Sequence, residues 1–207
     1  MLPTGPLMKI MLALLYLAVA TGISTARAAD VDGVKIEDKV VLANGVPELV
    51  LNGAGIRHKF AFFKVYIGSL YLTQKKNDNE AIFADTGPKR VSMHILSSEV
   101  TAQDLISSMN NALANNLSPH ELALIEKRIR DLNTMMSSLK AINKGSVVHL
   151  DYLPDVGTRV IVDGQERITI PGEDFFRAML HIWIGNKPVD GRLRDAMLGK
   201  GSANKLF

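Results

Sequence analysis

Residues 48–73 read ELVLNGAGIRHKFAFFKVYIGSLYLT and contain two apolar stretches, 48–57 and 60–73. The second stretch is apolar at both its odd-numbered and its even-numbered positions, which is typical of a central strand covered on both faces of a sheet. His58 and Lys59 separate the stretches and predict a tight hairpin between them. We therefore expect this region to form the middle of an antiparallel sheet.

Outward from this hairpin, the chain alternates strand and helix patterns in an order that defines its class. Extended segments are predicted at 31–42, 89–96, 146–153, 158–162 and 166–170, and helices at 77–84, 101–117, 118–142, 173–184 and 190–198. Two of the helices carry clear N-terminal signals, Thr101 with Asp104 and Ser118-Pro119 with Glu121. Strands, two helices, strands and a helix predict an α+β fold with a largely antiparallel sheet.

The first apolar stretch carries the candidate binding chemistry. Its odd-numbered positions, from Leu49 to Arg57, would share one face of a regular strand, and that face includes Gly53 and Gly55. Either a helix packs close to the two glycines or a bulge forms there, or a ligand lies on the bare backbone. In the last case Arg57 would hold an anionic end, because a guanidinium binds a carboxylate through two parallel hydrogen bonds.

Three further side chains are candidate donors to such an anion. Tyr66, on the neighbouring strand, adds a hydroxyl if it faces the same cleft, and is otherwise a core tyrosine. Asn110 and Asn111, on the helix that follows, add amide groups or are simply solvated.

Other chemistries find little support. Gly53-Ala54-Gly55 begins like a dinucleotide-binding loop, but His58 stands in place of the third glycine and a strand follows. The five histidines lack the spacing of metal ligands. We expect neither a metal nor a cofactor.

The first 29 residues predict a cleavable secretory signal peptide. Lys9 precedes an apolar run at 10–23, and small residues at 26–29 suit a signal peptidase. The run is shorter than the roughly 20 residues of a membrane-spanning helix. We expect cleavage after Ala28 or Ala29, one domain over 30–207, no membrane span after cleavage, and a periplasmic or secreted location.

Charge and cysteine content limit the partners. The net charge is +3, and it becomes +1 once the leader, with its two basic residues and no acid, is removed. A nearly neutral domain argues against nucleic acid as a partner. The chain has no cysteine, so disulfides do not stabilise it and no lipid can be attached through a cysteine after the leader. The oligomeric state is left open.

Four segments resemble the chalcone isomerase family, most closely its bacterial chalcone-isomerase-like branch. They are GAGIR at 53–57, KVYIGSLYL at 64–72, RVSM at 90–93 and IGNKPV at 184–189. The resemblance implies an open-faced β-sandwich, in which one large antiparallel sheet is backed by a layer of helices. It also implies a ligand cleft between the sheet and the helices.

The same resemblance bears on catalysis, since the plant enzymes of the family close a chalcone into a flavanone. Arg57 matches the arginine that steadies the phenolate, Tyr66 falls where a catalytic threonine would be, and Asn110 matches a ring-binding asparagine. The catalytic tyrosine has no counterpart, because Gln103 or Asp104 stands there. A second hydroxyl residue that holds the far ring is replaced by Ile182.

This pattern keeps the group that holds an anion and loses the one that polarises a carbonyl. It favours a non-catalytic protein that binds a small apolar anion, such as a fatty acid, as fatty-acid-binding relatives in the superfamily do with an arginine and a tyrosine. Arg57, Tyr66 and Asn110 would bind the ligand, whose hydrocarbon would lie over Gly53 and Gly55. The alternatives are an intramolecular lyase acting on a phenolic enone, with Arg57 as its catalytic residue, and a partner-binding protein of the envelope.

Overall fold

A computed structural model of the chain describes residues 28–60, 62–98, 101–139 and 142–200. The strands are β1 Ala28–Val31, β2 Val34–Glu37, β3 Lys39–Val40, β4 Leu49–Lys59, β5 Phe63–Leu72, β6 Lys89–Ile95, β7 Val147–Leu153, β8 Gly157–Val162 and β9 Gln165–Ile170. The helices are α1 Asn79–Phe83, α2 Ala102–Asn116, α3 Pro119–Ser138, α4 Glu173–Ile184 and α5 Gly191–Met197. The predicted signal peptide lies outside the described residues, except for Ala28 and Ala29, which begin β1.

Seven strands form one antiparallel sheet in sequence order from β3 to β9, and β1 pairs only with β2 in a separate hairpin. Two of the turns that join neighbouring strands use residues suited to positive φ angles, Asp32 and Gly33 between β1 and β2, and Asp163 and Gly164 between β8 and β9. The helices α2, α3 and α4 pack together in a layer over one face of the sheet. This arrangement confirms the predicted α+β fold, a large antiparallel sheet backed by helices.

The two long helices begin where the sequence predicts. Thr101 and Asp104 form a capping box at the start of α2, and Ser118 and Glu121 form another at the start of α3, with Pro119 in its first turn. These boxes fix the entry points of both helices and so their placement over the sheet. Helix α3 ends at Ser138, before the predicted residue 142, since the backbone is already extended at residue 139.

Both faces of the central strand β5 are buried, as predicted. Leu70 and Leu72 belong to the main core between the sheet and the helices, whereas Ile67 and Tyr71 belong to a smaller core on the opposite face. The β1–β2 hairpin contributes Ile36 to that smaller core.

A bulge in β4, one of the alternatives that the two glycines left open, breaks the single face expected for the odd-numbered positions from Leu49 to Arg57. Leu51 pairs with Tyr71 but Gly53 pairs with Leu70, so Asn52 is an extra residue and the alternation reverses there. Leu51 consequently packs in the smaller core, while Gly53 faces the helical side.

The hairpin between β4 and β5 also differs from its prediction. His58 and Lys59 continue β4, pairing with Lys64 and Phe63, and the chain turns at Phe60 and Phe62. The backbone N–H of His58 also donates to Asp190 Oδ2 at 2.8 Å, which ties this end of the strand to the start of α5. Among the described residues, no helix is long and apolar enough to cross a membrane.

Candidate functional site

A narrow cavity lies between the helix-facing side of the sheet and the helices α2, α3 and α4. Its open volume is about 60 Å³. Strand residues form its floor and helix residues its walls. The lining residues are Arg57, Tyr66, Met93, Leu105, Ser108, Met109, Leu132, Met135, Met136, Leu139, Ile142, Val148, Leu150, Val160, Val162, Met179, Ile182, Trp183 and Val189.

Most of this lining is apolar and much of it is adaptable. Five methionines contribute to it, at positions 93, 109, 135, 136 and 179. Methionine side chains are unbranched and flexible, and can repack around a guest. The polar side chains of the lining are those of Arg57, Tyr66, Ser108 and Trp183, so side-chain hydrogen bonds to a ligand can form only at these four residues.

Arg57 carries a half-buried positive charge that no described acidic residue pairs with. One terminal nitrogen of its guanidinium donates to Ser108 Oγ at 2.7 Å, and its central carbon lies 5.4 Å from the centre of the Tyr66 ring. Its Nε is buried and has no hydrogen-bond partner among the described residues. A buried charged donor without a partner is costly, so this guanidinium is ready for an acceptor from outside the protein.

Tyr66 supplies a second donor beside this charge. It pairs directly with Arg57 across β4 and β5, and its side chain is buried. Trp183 Nε1 donates to its hydroxyl at 2.9 Å. Burial raises the pKa of Tyr66 and the nearby charge of Arg57 only partly opposes this, so the phenol is neutral. No described residue accepts the phenol proton, which is therefore free to bind a ligand oxygen.

The two glycines lie beside the cavity but do not line it. A Cβ atom added to Gly53 would sit 1.9 Å from the backbone oxygen of Ala196, and one added to Gly55 would sit 2.6 Å from the Ala196 Cβ. Helix α5 occupies this strip, held in part by Asn52, which donates to the Met197 backbone oxygen at 2.7 Å. The glycines therefore serve close helix packing, which is one of the alternatives that the sequence left open, and the space where we expected the hydrocarbon is filled.

The remaining sequence candidates, Asn110, Asn111 and Asp104, do not line the cavity, although Asn111 and Asp104 share an outer groove with Arg57. Asn110 lies between α2 and α3, where its Oδ1 accepts from Asn133 Nδ2 at 3.4 Å, and it does not line the cavity. Asn111 and Asp104 line an open groove outside the cavity. The Asp104 carboxylate accepts hydrogen bonds from Thr101, which lower its pKa and commit it to capping α2.

Sequence reasoning missed two residues of the site, Ser108 and Trp183. Ser108 orients the Arg57 guanidinium, and Trp183 orients the Tyr66 hydroxyl. Their neighbours Met109 and Ile182 line the cavity too, so the inward apolar positions of α2 and α4 were the available signal. Among the described residues, no group of histidine, aspartate or glutamate side chains could hold a metal ion.

Comparisons with known proteins agree with this geometry. A family model described as chalcone isomerase-like matches residues 28–199. The crystal structure of a fatty-acid binding protein of Arabidopsis thaliana, AtFAP1, is similar with a TM-score of 0.59 and 13% sequence identity, covering 80% of this chain and 92% of that one. That likeness shows a shared fold. None of the curated protein sequences matches the chain. Because the family model spans nearly all of the described residues, this chain belongs to the chalcone isomerase-like family.

Proposed function

We propose that the chain is a non-catalytic binding protein for an apolar carboxylate such as a fatty acid. The observation that carries the proposal is the pair of unused donors, Arg57 Nε and the Tyr66 hydroxyl, at one apolar cavity. The similar fold of a protein named for fatty-acid binding supports the same class of ligand.

The charge of Arg57 selects for an acid over a neutral lipid. A carboxylate would neutralise the guanidinium and accept from both free donors, and hydrogen bonds between charged groups are roughly twice as strong as neutral ones. An alcohol or ester of the same length would leave the positive charge without a counterion. We therefore expect the affinity for a fatty acid to exceed that for its methyl ester by at least about tenfold.

The hydrocarbon would enter the methionine-lined cavity and not the glycine strip. An open volume of about 60 Å³ is well below the roughly 300 Å³ or more of a typical small-molecule site. Binding a long chain therefore requires the methionine side chains to move aside. Their flexibility makes that rearrangement inexpensive in comparison with the burial of the acyl chain.

The protein would act in the periplasm after removal of its leader. The basic start, the short apolar run and the small residues before Asp30 support this location. Fractionation of cells that produce the full chain, with mass determination of the mature protein, tests it. A mature mass beginning at Ala29 or Asp30 in the periplasmic fraction is expected, and an uncleaved cytoplasmic chain would contradict it.

The direct test of binding is native mass spectrometry of the purified protein, followed by titration with palmitate. Trp183 is the only tryptophan of the chain and lies in the cavity wall, so its fluorescence reports occupancy. Arg57→Ala should weaken palmitate binding by tenfold or more. Arg177→Ala is the matched control, since Arg177 is exposed and pairs only weakly with Glu173 at 3.8 Å. Equal affinity in the wild type and Arg57→Ala would sink the proposal.

The lyase alternative makes a different prediction from the same purified protein. A chalcone substrate would have to find a group that polarises its carbonyl, and stabilisation of a developing oxyanion is a large part of such catalysis. Asp104 is committed to the α2 cap and Ile182 is apolar. We expect chalcone cyclisation at the spontaneous rate. A faster rate that Arg57→Ala abolishes would establish the lyase instead.

A further inference from the structure

The tip of the β4–β5 hairpin exposes two large aromatic side chains. Phe60 is 77% exposed and Phe62 is 80% exposed, more than any other large apolar side chain in the described ranges. Phe60 has a φ of 53°, a left-handed conformation typical of a turn. Neighbouring exposed aromatic groups on a soluble domain usually mark a surface that contacts something apolar.

Basic side chains flank these two rings. Lys59 Nζ lies 5.5 Å from the centre of the Phe60 ring, and no described residue forms an ion pair with it. Lys64, on the other strand of the hairpin, is about half exposed and pairs with Asp32 at 2.5 Å. Aromatic rings with lysines beside them match the boundary of a bilayer, where acyl chains lie beneath anionic headgroups.

The same tip lines a groove that shares residues with the cavity. An open groove of about 490 Å³ is lined by Phe60, Phe62 and Lys59, and also by Arg57 and Ser108. Arg57 and Ser108 line the inner cavity as well. The groove therefore extends from the hairpin tip to the Arg57 side chain.

We infer that this tip docks on the surface of an anionic phospholipid bilayer, with Phe60 and Phe62 inserted at the acyl boundary and Lys59 among the headgroups. Two exposed rings are far too small an apolar surface for a stable protein interface, which buries roughly 1,200 Å² or more. A bilayer needs only a few such anchors together with positive charge. The inference goes beyond the binding of a carboxylate, since docking requires no particular cargo.

Flotation of the purified protein with vesicles tests the docking. The probes are vesicles of phosphatidylglycerol and phosphatidylcholine in equal parts, and vesicles of phosphatidylcholine alone. The double variant Phe60→Asn, Phe62→Ser removes both rings, and asparagine tolerates the positive φ at position 60. Leu124→Ser is the matched control, because Leu124 is also a highly exposed apolar side chain but lies on α3.

We expect the wild type and Leu124→Ser to float with the anionic vesicles, less so at high salt, and the double variant to bind at least tenfold less. Equal flotation of the double variant, or none of the wild type, would overturn the inference. So would a wild-type dimer, measured by sedimentation, that the double variant abolishes, since the rings would then bind a second copy. Palmitate titration of the double variant in solution keeps the two proposals separate: retained affinity with lost flotation supports the docking, and flotation without palmitate binding refutes only the proposed cargo.

Discussion

Trp183 on α4 donates a hydrogen bond of 2.9 Å from its indole Nε1 to the hydroxyl of Tyr66 on β5. Both side chains are buried. The hydroxyl accepts this bond, and no described residue accepts the hydroxyl's own proton. The bond thus joins the helical layer to the sheet at the place where a ligand would bind.

Replacing the hydroxyl should affect both stability and binding. Tyr66→Phe would leave Trp183 Nε1 buried without an acceptor, which costs about 1–3 kcal/mol of unfolding free energy. It should also weaken palmitate binding by about fivefold to tenfold through loss of one donor. Urea denaturation and displacement of a fluorescent fatty acid measure the two effects.

Trp183→Phe is the informative companion to this variant. It removes the indole donor but leaves the Tyr66 hydroxyl, so it should lose stability while keeping the preference for a fatty acid over its methyl ester. If Tyr66→Phe bound palmitate as tightly as the wild type, the hydroxyl would have no part in holding the carboxylate.

The close approach of α5 to β4 predicts a large cost for adding one methyl group. Gly53→Ala would place its Cβ 1.9 Å from the Ala196 backbone oxygen, which cannot move without shifting the helix. We expect the unfolding free energy to fall by about 2–4 kcal/mol. Gly191→Ala is the control, since an added Cβ there meets nothing within 4 Å. Equal stability of the two variants in urea would show that α5 does not pack on the strand in this way.

A partly buried histidine of the sheet, His149, predicts how the stability of the protein changes with pH. The Nδ1 atom of His149 lies 2.7 Å from Ser92 Oγ. Burial, aided by the positive charge of Arg90, lowers the pKa of His149 from 6.5 to about 4. The unfolded chain therefore binds more protons than the folded one between these two values, and stability falls as the pH is lowered through that interval. Burial also lowers the pKa values of His94 and His181, which adds to the same trend.

We expect the His149 contribution to be about 1–3 kcal/mol between pH 7 and pH 4, allowing for partial solvation of the ring. Urea denaturation at several pH values measures it. His149→Gln should flatten the slope, whereas His120→Gln, at an exposed position, should leave it as in the wild type. An unchanged slope in His149→Gln would assign the pH dependence to other groups.

Local signals account for the parts of the fold that the sequence predicts. The capping boxes at Thr101 and Ser118 and the turn at Asp163-Gly164 depend on residues within a few positions of one another, and all appear in the structure. The bulge at Asn52 depends on α5, since its side chain bonds to Met197, 145 residues away. No periodicity within β4 could reveal that contact.

The residues of the candidate site also fall into two groups, those that local sequence signals predict and those that depend on distant contacts. Arg57 and Tyr66 meet because β4 and β5 are neighbouring strands, which the hairpin pattern implies. Ser108 and Trp183 join them only because of the sides that α2 and α4 turn toward the sheet. The orientation of each helix about its axis is set by packing across the whole core. The sequence therefore indicated the helices without indicating these two side chains. For the glycine strip the sequence left close helix packing and a ligand cleft both open, and only the position of α5 decides for packing.

The small open volume of the cavity yields a last prediction, about the length of the ligand. Because methionine side chains line the small cavity that the acyl chain is proposed to enter, shortening one should lower the cost of admitting a long chain. Met136→Ala shortens a half-buried lining residue on α3. It should raise the affinity for palmitate severalfold relative to octanoate, while lowering the unfolding free energy of the empty protein by about 1–3 kcal/mol. Met197→Ala is the control, because Met197 is fully buried but does not line the cavity. It should lose stability without changing the palmitate-to-octanoate ratio, measured by displacement of a fluorescent fatty acid. The same ratio in Met136→Ala as in the wild type would mean that the hydrocarbon lies elsewhere, and the open groove beside Phe60 would then be the place to look for it.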